Sequence, residues 1–462
     1  MRTRIEPYKI KVVEPIRFTT AAERREALDA AGWNLFRIPA QRVIIDLLTD
    51  SGVTAMSARQ WAGLLDGDEA YAGATSFQRF EAVVQALTGM PHVIPAHQGR
   101  AAERLLFEAI VGPGDVVPGN THFDTTRANL EQRGARAIDL PSPATREPRR
   151  EEPFKGNIDL GRLEGLLREH RGRVPLVLIT ATNNGAGGQP VSLENLAATR
   201  RLCDAHGIPL YLDGARFAEN SWLVREREAG MGALAPREIA RRSFDLVDGC
   251  VVSAKKDGLV NIGGFLALRA DDVATRIKRA MVVGEGFPTY GGLAGRDLEA
   301  MATGLEEVLD PAYLAERIAQ VRSLGEKLHR AGVPTIRPTG GHAVYIDSRA
   351  FAPHLEALDF PGQAIACALY LVAGVRSVEI GQLMNGRRDD AGHERAVPLD
   401  LVRLAIPRRV YTCCHLDYVA EAVCEVFAAR DALRPLELLD DAPVLRHFSA
   451  RLRPRGDGDV QR

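Results

Sequence analysis

The sequence has few cysteines, no long apolar run and no excess of charge of either sign. Six cysteines in 462 residues, none in a C-x-x-C spacing, exclude a disulfide framework and predict a protein of the reducing cytoplasm. No apolar run approaches the roughly 18 residues of a membrane span, and the N-terminal stretch lacks the apolar segment of a signal peptide. The 59 Lys and Arg residues against 60 Asp and Glu exclude a broadly basic nucleic-acid binder and a general attraction to anionic membranes.

What is present is typical of a large folded enzyme. Apolar residues make up 45% of the chain and charged residues 26%, too apolar and too balanced in charge for disorder. The motifs G-x-x-x-x-G-K-[ST] and, after a strand, G-x-G-x-x-G are both missing, so neither ATP nor a dinucleotide is indicated.

Short apolar segments alternate with helical patterns through the middle of the chain. The predicted strands cover residues 91–96, 175–182, 208–213 and 249–254. Continuous apolar strands separated by helices indicate an α/β fold with a large, doubly wound, mostly parallel sheet. After about residue 310 the pattern changes to that of a smaller α+β domain. We therefore predict a large domain over 50–310 and a small domain formed by 1–49 and 311–462.

Polar residues fall at the ends of these predicted strands, where such sheets bind ligands. Lys256 could be desolvated in a cleft, which would free its amine for Schiff-base chemistry. Asp213 could keep the nitrogen of a pyridinium ring protonated, and Arg216 could reach a phenolate oxygen on the same ring. HQGR (97–100) begins a helix and could bind a phosphate. In this order, together with Asn184, these features match the pyridoxal phosphate site of the aspartate-aminotransferase-like fold.

Each of these features has an ordinary alternative when it is taken alone. The lysine pair could be two solvated surface residues, Asp213 a turn residue, and HQGR a plain strand–helix connection. Arg403, in the strand-like segment LVRLAIP, is the natural candidate for binding a substrate carboxylate with two hydrogen bonds, and an edge-strand arginine is an equal alternative. The joint order of the features favours the cofactor site.

Longer motifs resemble the β-eliminating lyases over nearly the whole chain. The matching segments are IDLLTDSG (45–52), GDEAYAG (67–73), HQGR (97–100), AGGQPVS (186–192), ARFAEN (215–220), SAKKD (253–257), EGFPTYGGL (285–293) and VRLAIPRRVYT (402–412). The resemblance implies a pyridoxal 5'-phosphate enzyme of fold type I that acts on an amino acid. It also implies a homotetramer, at least a dimer, activated by K⁺ or NH₄⁺.

The resemblance assigns a role to individual residues. The cofactor would be held by Gln98, Gly99, Arg100 and Ser253 at its phosphate, Phe123 on its ring face, Asn184 and Arg216 at its phenolate oxygen, Asp213 at its ring nitrogen, and Lys256 as the Schiff-base lysine. The substrate carboxylate would be bound by Thr49, Ser51 and Arg403. Tyr71, contributed across a subunit interface, would be the general acid toward the leaving group. A monovalent cation would lie between the Glu69 carboxylate and the carbonyls of Gly52 and Asn261.

Three positions distinguish the two activities of this family, release of indole from tryptophan and release of phenol from tyrosine. Phenol-lyases resemble this chain but carry Thr, Arg and Phe where Asp124, Ile380 and His447 stand. The resemblance therefore predicts β-elimination of L-tryptophan to indole, pyruvate and ammonium. An anionic Asp124 could stabilise the indole ring once it is protonated at C3, His447 could orient the ring or Asp124, and Phe36 is expected to join the substrate pocket.

Several alternatives stay open at this stage. The chain could be a phenol-lyase or another aromatic or cysteine β-lyase, and less readily an aminotransferase or a non-catalytic pyridoxal phosphate-binding protein. It also departs from the family pattern at a few positions near the cofactor, namely Ala96, Ala101, Asn183 and Gly214. These departures remove no chemical group that the predicted reaction needs.

Overall fold

The computed structural model describes residues 5–388, 393–440 and 445–456. The helices within these ranges are α1 (Ala21–Ala30), α2 (Ala58–Asp66), α3 (Thr75–Thr88), α4 (Gly99–Ile110), α5 (Asp124–Gln132), α6 (Leu160–Glu169), α7 (Leu193–His206), α8 (Phe217–Arg227), α9 (Pro236–Asp245), α10 (Asp271–Gly284), α11 (Gly295–Glu307), α12 (Pro311–Arg330), α13 (Ser348–Phe351), α14 (Pro361–Ala373), α15 (Gln382–Asn385) and α16 (Cys413–Ala428). The strands are β1 (Ile45–Asp46), β2 (His92–Ala96), β3 (Val116–Gly119), β4 (Arg136–Asp139), β5 (Val177–Thr180), β6 (Leu210–Asp213), β7 (Gly249–Val252), β8 (Gly264–Leu268), β9 (Ala343–Asp347), β10 (Val375–Arg376), β11 (Val378–Ile380), β12 (Arg387–Arg388), β13 (Glu394–Arg395), β14 (Leu401–Ala405), β15 (Leu436–Asp440) and β16 (Arg451–Pro454). Among the helices of these ranges, none is long and apolar enough to cross a membrane.

The described residues form a large sheet with the order β2-β8-β7-β6-β5-β3-β4. Strand β8 runs antiparallel to both of its neighbours, and the other pairs are parallel. The central strands are apolar and buried throughout, as expected for strands covered by helices on both faces. Strands β2, β3, β5, β6 and β7 therefore end at one common edge, and the polar residues that follow them come together there.

A second, smaller sheet lies in the C-terminal part of the chain, with β14 between its antiparallel neighbours β11 and β9. The N-terminal segment joins this part, because β1 pairs with β10. One apolar core extends from Phe80 to Ile318, and a second combines 27–47 with residues after 320. Helix α12 contributes side chains to both cores. The division at residues 50 and 310 stays a proposal, which these two cores support.

The packing of the large domain gives a test of its core. Phe80 of α3 is fully buried and meets Phe265 of β8 edge to face, with ring centroids 5.8 Å apart. Replacing Phe80 with Ala should lower the free energy of unfolding by about 3–5 kcal/mol, because it removes a buried ring and leaves a cavity. The measurement is urea unfolding followed by intrinsic fluorescence. Leu439→Ala, at a side chain that is 51% exposed, is the control and should change little.

Candidate active site

Lys256 and Asp213 lie at the common edge of the large sheet. Lys256 follows β7, and its backbone N–H donates to the Ser253 carbonyl at 3.0 Å. Burial and the nearby Arg216 lower the pKa of the Lys256 amine to about 8, while Asp50 and Asp213 act in the opposite direction. Burial also raises the pKa of Asp213. The neutral fraction of the amine near pH 7 is therefore far larger than that of an ordinary lysine, which favours a role as a nucleophile or a base.

The N-terminus of α4 approaches the end of β7 very closely. A Cβ placed on Gly99 would lie 2.6 Å from the Ser253 Cβ, so no larger residue fits there without a shift. Gln98 is the N-cap residue, yet its side chain makes no capping hydrogen bond, so the first N–H groups of the helix are left for another acceptor. Arg100, in the first turn, is exposed. This concave, donor-rich surface suits a phosphate.

Asn184, which follows β5, is held by a cluster of buried donors. Its Oδ1 accepts hydrogen bonds from the Tyr345 hydroxyl at 2.7 Å and from Arg403 Nη1 at 3.0 Å, and His342 Nε2 lies 3.2 Å away. Arg403 also donates through Nη2 to the Leu48 carbonyl at 2.9 Å, and its buried Nε has no hydrogen-bond partner. The Asn184 amide hydrogens and Arg403 Nε are thus the groups that could meet a ligand.

Arg216, immediately before α8, takes part in a buried ion network. Its Nε and Nη2 donate to both carboxylate oxygens of Asp50, at 2.9 and 2.8 Å. Arg408 is fully buried and binds Asp50 at 3.0 Å, Glu219 at 2.9 Å and Asp257 at 2.8 Å. Because Asp257 directly follows Lys256 in the chain, this network fixes the turn that carries the lysine.

On another side of the site, a histidine and a carboxylate meet. His447 Nε2 lies 3.0 Å from Asp124 Oδ2, and both side chains are at most 5% exposed. The Phe36 ring meets the His447 ring edge to face at 5.6 Å. Ile380 is buried in an apolar cluster against which Phe36 also packs. Phe123 precedes Asp124 directly, at the start of α5.

The structure places Tyr71 on the surface of the chain. Its side chain is 69% exposed and packs on Phe287 and Tyr290, with ring centroids 5.6 and 5.2 Å away. A hydrogen bond with Tyr290 raises the pKa of Tyr71. Phe287 and Tyr290 are half-buried, so Tyr71 is the ring of this cluster that faces outward.

The backbone groups predicted for the cation lie side by side, and the predicted carboxylate lies apart on an exposed loop. The Asn261 carbonyl oxygen is 3.1 Å from the position of a Cβ on Gly52, and the Asn261 amide donates to the Gly52 carbonyl at 3.0 Å. Glu69 is exposed between α2 and α3. Thr49 and Ser51 lie in the loop after β1, where the Ser51 N–H donates to Thr49 Oγ1 at 3.1 Å.

Comparisons with known proteins identify the family. Residues 46–422 match the family model described as β-eliminating lyase. The chain belongs to the β-eliminating lyase family. It is 54% identical to a tryptophanase of Hyphomonas neptunium, over 97% of this chain and 99% of that one. It is also 54% identical to a tryptophanase of Salinibacter ruber, over 98% and 96%, and 48% identical to a tyrosine phenol-lyase of Symbiobacterium sp., over 97% and 98%.

A comparison with solved structures gives the fold. A chain in the crystal structure of the SepCysS–SepCysE N-terminal domain complex superimposes with a TM-score of 0.55 at 14% identity, over 85% of this chain and 96% of that chain. An identity this low indicates a common fold and nothing finer. The predicted α/β, fold type I class with its mostly parallel sheet is confirmed, and so is the predicted family.

Sequence reasoning missed several buried residues of this β-eliminating lyase site. They are Asp50, Glu103, His342, Tyr345 and Arg408. Glu103, in α4, accepts a hydrogen bond from the Thr126 hydroxyl at 2.6 Å, and burial raises its pKa to about 8 with help from the Asp213 charge. The sequence did give one indication for Asp50, because this residue stands between Thr49 and Ser51, which are both predicted to bind the substrate. Arg408 lies in the family motif at 402–412, whereas nothing in the sequence singles out Glu103, His342 or Tyr345.

The approach of α4 to Ser253 gives a test of the phosphate site. Gly99→Ala should weaken pyridoxal phosphate binding by about tenfold or more, because overpacking of this kind costs about 1–3 kcal/mol. The measurement is titration of the apoprotein with the cofactor, followed by fluorescence quenching. Gly165→Ala, in α6, is the matched control, since a Cβ there meets no atom within 4 Å. Equal affinities for all three proteins would contradict a phosphate at this helix.

Proposed function

We propose that the chain catalyses the pyridoxal 5'-phosphate-dependent β-elimination of L-tryptophan to indole, pyruvate and ammonium. The observation that carries the substrate choice is the buried pair of Asp124 and His447, which Phe36 connects to the apolar cluster of Ile380. It supplies an anion near the leaving group and offers no arginine for a phenol hydroxyl. The similarity to tryptophanases, at 52–54% identity, also supports indole as the leaving group over phenol, since the tyrosine phenol-lyases are 45–48% identical.

The residues at the sheet edge fit the proposed cofactor. The uncapped N-terminus of α4, with the close approach of Gly99 to Ser253, suits its phosphate. Asp213 would face the ring nitrogen, and the free donors of Asn184 and Arg216 would face the phenolate oxygen. When bound, pyridoxal phosphate supplies an electron-withdrawing ring that stabilises negative charge at the substrate α-carbon.

The chain's own residues bind the substrate and move the first proton. Arg403, with its unpartnered Nε, would bind the amino-acid carboxylate together with Thr49 and Ser51. Holding that carboxylate fixes the direction of the α-C–H bond, which is an orientation effect. Lys256 Nζ then accepts the α-proton, because its lowered pKa leaves the amine available as a base.

The departure of indole requires a proton at its C3 atom. The Tyr71 hydroxyl of a neighbouring subunit would donate it, and the hydrogen bond with Tyr290 favours the protonated phenol. The Asp124 carboxylate would stabilise the positive charge that the ring then carries, with His447 fixing its direction. Phe36 and Ile380 provide an apolar wall for the indole ring.

This proposal needs more than one copy of the chain. We propose a homotetramer, at least a dimer, in the cytoplasm. The 69% exposure of the Tyr71 side chain in a single chain supports a subunit contact at this residue. A monovalent cation, K⁺ or NH₄⁺, would join the Glu69 carboxylate to the carbonyls of Gly52 and Asn261. It would neutralise Glu69 and fix the loop that presents Tyr71.

The pKa of Lys256 gives a test of its role. Only the neutral amine can attack the cofactor aldehyde, so the rate of covalent attachment to the apoprotein should rise with pH and level off above about 8. The measurement is stopped-flow absorbance after mixing apoprotein and pyridoxal phosphate across a pH series. Lys256→Ala should bind the cofactor without that attachment and should form no indole. Normal turnover by this variant would overturn the assignment.

The His447–Asp124 pair gives a test of the substrate. His447→Phe should lower kcat/KM for L-tryptophan by about tenfold or more, the order expected when a contact to a charged group is lost. Activity on an S-alkyl cysteine, whose leaving group needs no indole contact, should fall much less. Equal losses on both substrates would remove the specificity role of His447. Phenol release from L-tyrosine without indole release would instead favour the phenol-lyase activity, and a keto acid that keeps the side chain would indicate an aminotransferase.

A further inference from the structure

We propose that Asp50 is a positioning residue of the active site, which orients Arg216 and at the same time fixes the loop of Thr49 and Ser51. One carboxylate would thus hold both the group that faces the cofactor phenolate oxygen and the groups that bind the substrate carboxylate. The inference rests on the proposed function and adds a residue to it.

Both carboxylate oxygens of Asp50 accept hydrogen bonds from the guanidinium group of Arg216. The Asp50 side chain is 1% exposed, and its two oxygens accept from Arg216 Nη2 at 2.8 Å and Arg216 Nε at 2.9 Å. This parallel pair of hydrogen bonds fixes the plane of the guanidinium group as well as its position. Two of the three guanidinium nitrogens are then occupied, so Nη1 is the nitrogen left to face a ligand.

Asp50 also accepts hydrogen bonds from Arg408. Arg408 Nη1 donates to Asp50 Oδ2 at 3.0 Å and to the Asp50 backbone carbonyl at 3.2 Å. Two further hydrogen bonds hold the loop around Asp50. Arg403 Nη2 donates to the Leu48 carbonyl at 2.9 Å, and the Gly52 N–H donates to the Lys255 carbonyl at 2.8 Å. A shift of Asp50 would therefore move Thr49 and Ser51 together with Arg216.

The charges that face Asp50 suit this role. Arg216 and Arg408 together hold the pKa of Asp50 well below its usual range against the effect of burial, so the carboxylate keeps its charge. Burial keeps the pKa of His342, also nearby, well below its usual range, so this histidine is neutral. Asp50 in turn raises the proton affinity of the Lys256 amine. Loss of the Asp50 charge should therefore lower the pKa of the cofactor-bound lysine as well as free Arg216.

The test compares Asp50→Asn with Glu219→Gln in the holoenzyme. Both changes neutralise a buried partner of Arg408; the first also removes the partner of Arg216, and the second also removes a partner of Arg317. Asp50→Asn should lower the pH midpoint of the cofactor absorbance change by about one unit, because a negative charge that favours the protonated lysine is lost. It should also raise KM for L-tryptophan by about tenfold or more, with a smaller fall in kcat. Glu219→Gln disturbs the ion network without removing the partner of Arg216, so it should shift the midpoint and KM much less than Asp50→Asn does.

A second variant covers the case in which Asp50→Asn does not fold. Asp50→Glu keeps the charge and lengthens the side chain by one methylene group, so it should keep the absorbance midpoint while KM rises. A wild-type KM in Asp50→Glu, or a wild-type midpoint and KM in Asp50→Asn, would overturn the inference. Equal shifts in Asp50→Asn and Glu219→Gln would also overturn it, since the effect would then belong to the ion network in general. If the wild-type protein itself shows no cofactor absorbance, the proposed function has failed rather than this addition to it.

Discussion

The site depends on a buried arginine, Arg408, and on the carboxylates that neutralise it. An unpaired guanidinium in this position would be too costly to bury, and here Asp50, Glu219 and Asp257 all lie within 3.0 Å of it. These partners come from the N-terminal loop, from α8 and from the turn after Lys256. Because removal of one carboxylate would leave a buried positive charge uncompensated, the three segments are constrained to one arrangement. That arrangement is the candidate active site.

The segment that contains Arg408 also contains Arg403, the residue proposed to bind the substrate carboxylate. Arg403 lies in the middle strand β14 of the small sheet, and Arg408 lies in the turn that follows this strand, so one short segment places both guanidinium groups. Arg403 donates to Asn184, in the loop after β5 of the large sheet, and Arg408 binds Asp257 in the turn of the lysine. Charged contacts therefore join this segment to the edge of the large sheet where chemistry is proposed. Exact placement of these groups is what orientation of the substrate requires.

The sequence predicted that the polar residues following the strands lie together, because the carboxyl ends of parallel strands meet at one edge of a sheet. With the family resemblance it also named Asp124 and His447, and a contact between them was one of the two roles expected of His447. It did not predict the Asp50–Arg408 and Asp50–Arg216 pairs, whose members stand 358 and 166 residues apart. Charge pairs carry no periodicity, and any of the 59 basic residues could have paired with Asp50. Only the folded chain selects among them. For the same reason Glu103, an ordinary acidic residue of a helical pattern, gave no sign of being buried.

The low proton affinity of Lys256 follows from a balance among these groups. Burial alone favours the neutral amine, and a lysine placed beside several carboxylates would ordinarily regain its proton. Here Asp50, Asp213 and Glu103 do raise the pKa of the amine, and burial together with Arg216 outweighs them. Arg216 is the strongest charge acting on Lys256, ahead of its own partner Asp50. The ion network that fixes Arg216 therefore also influences the proton affinity of the lysine.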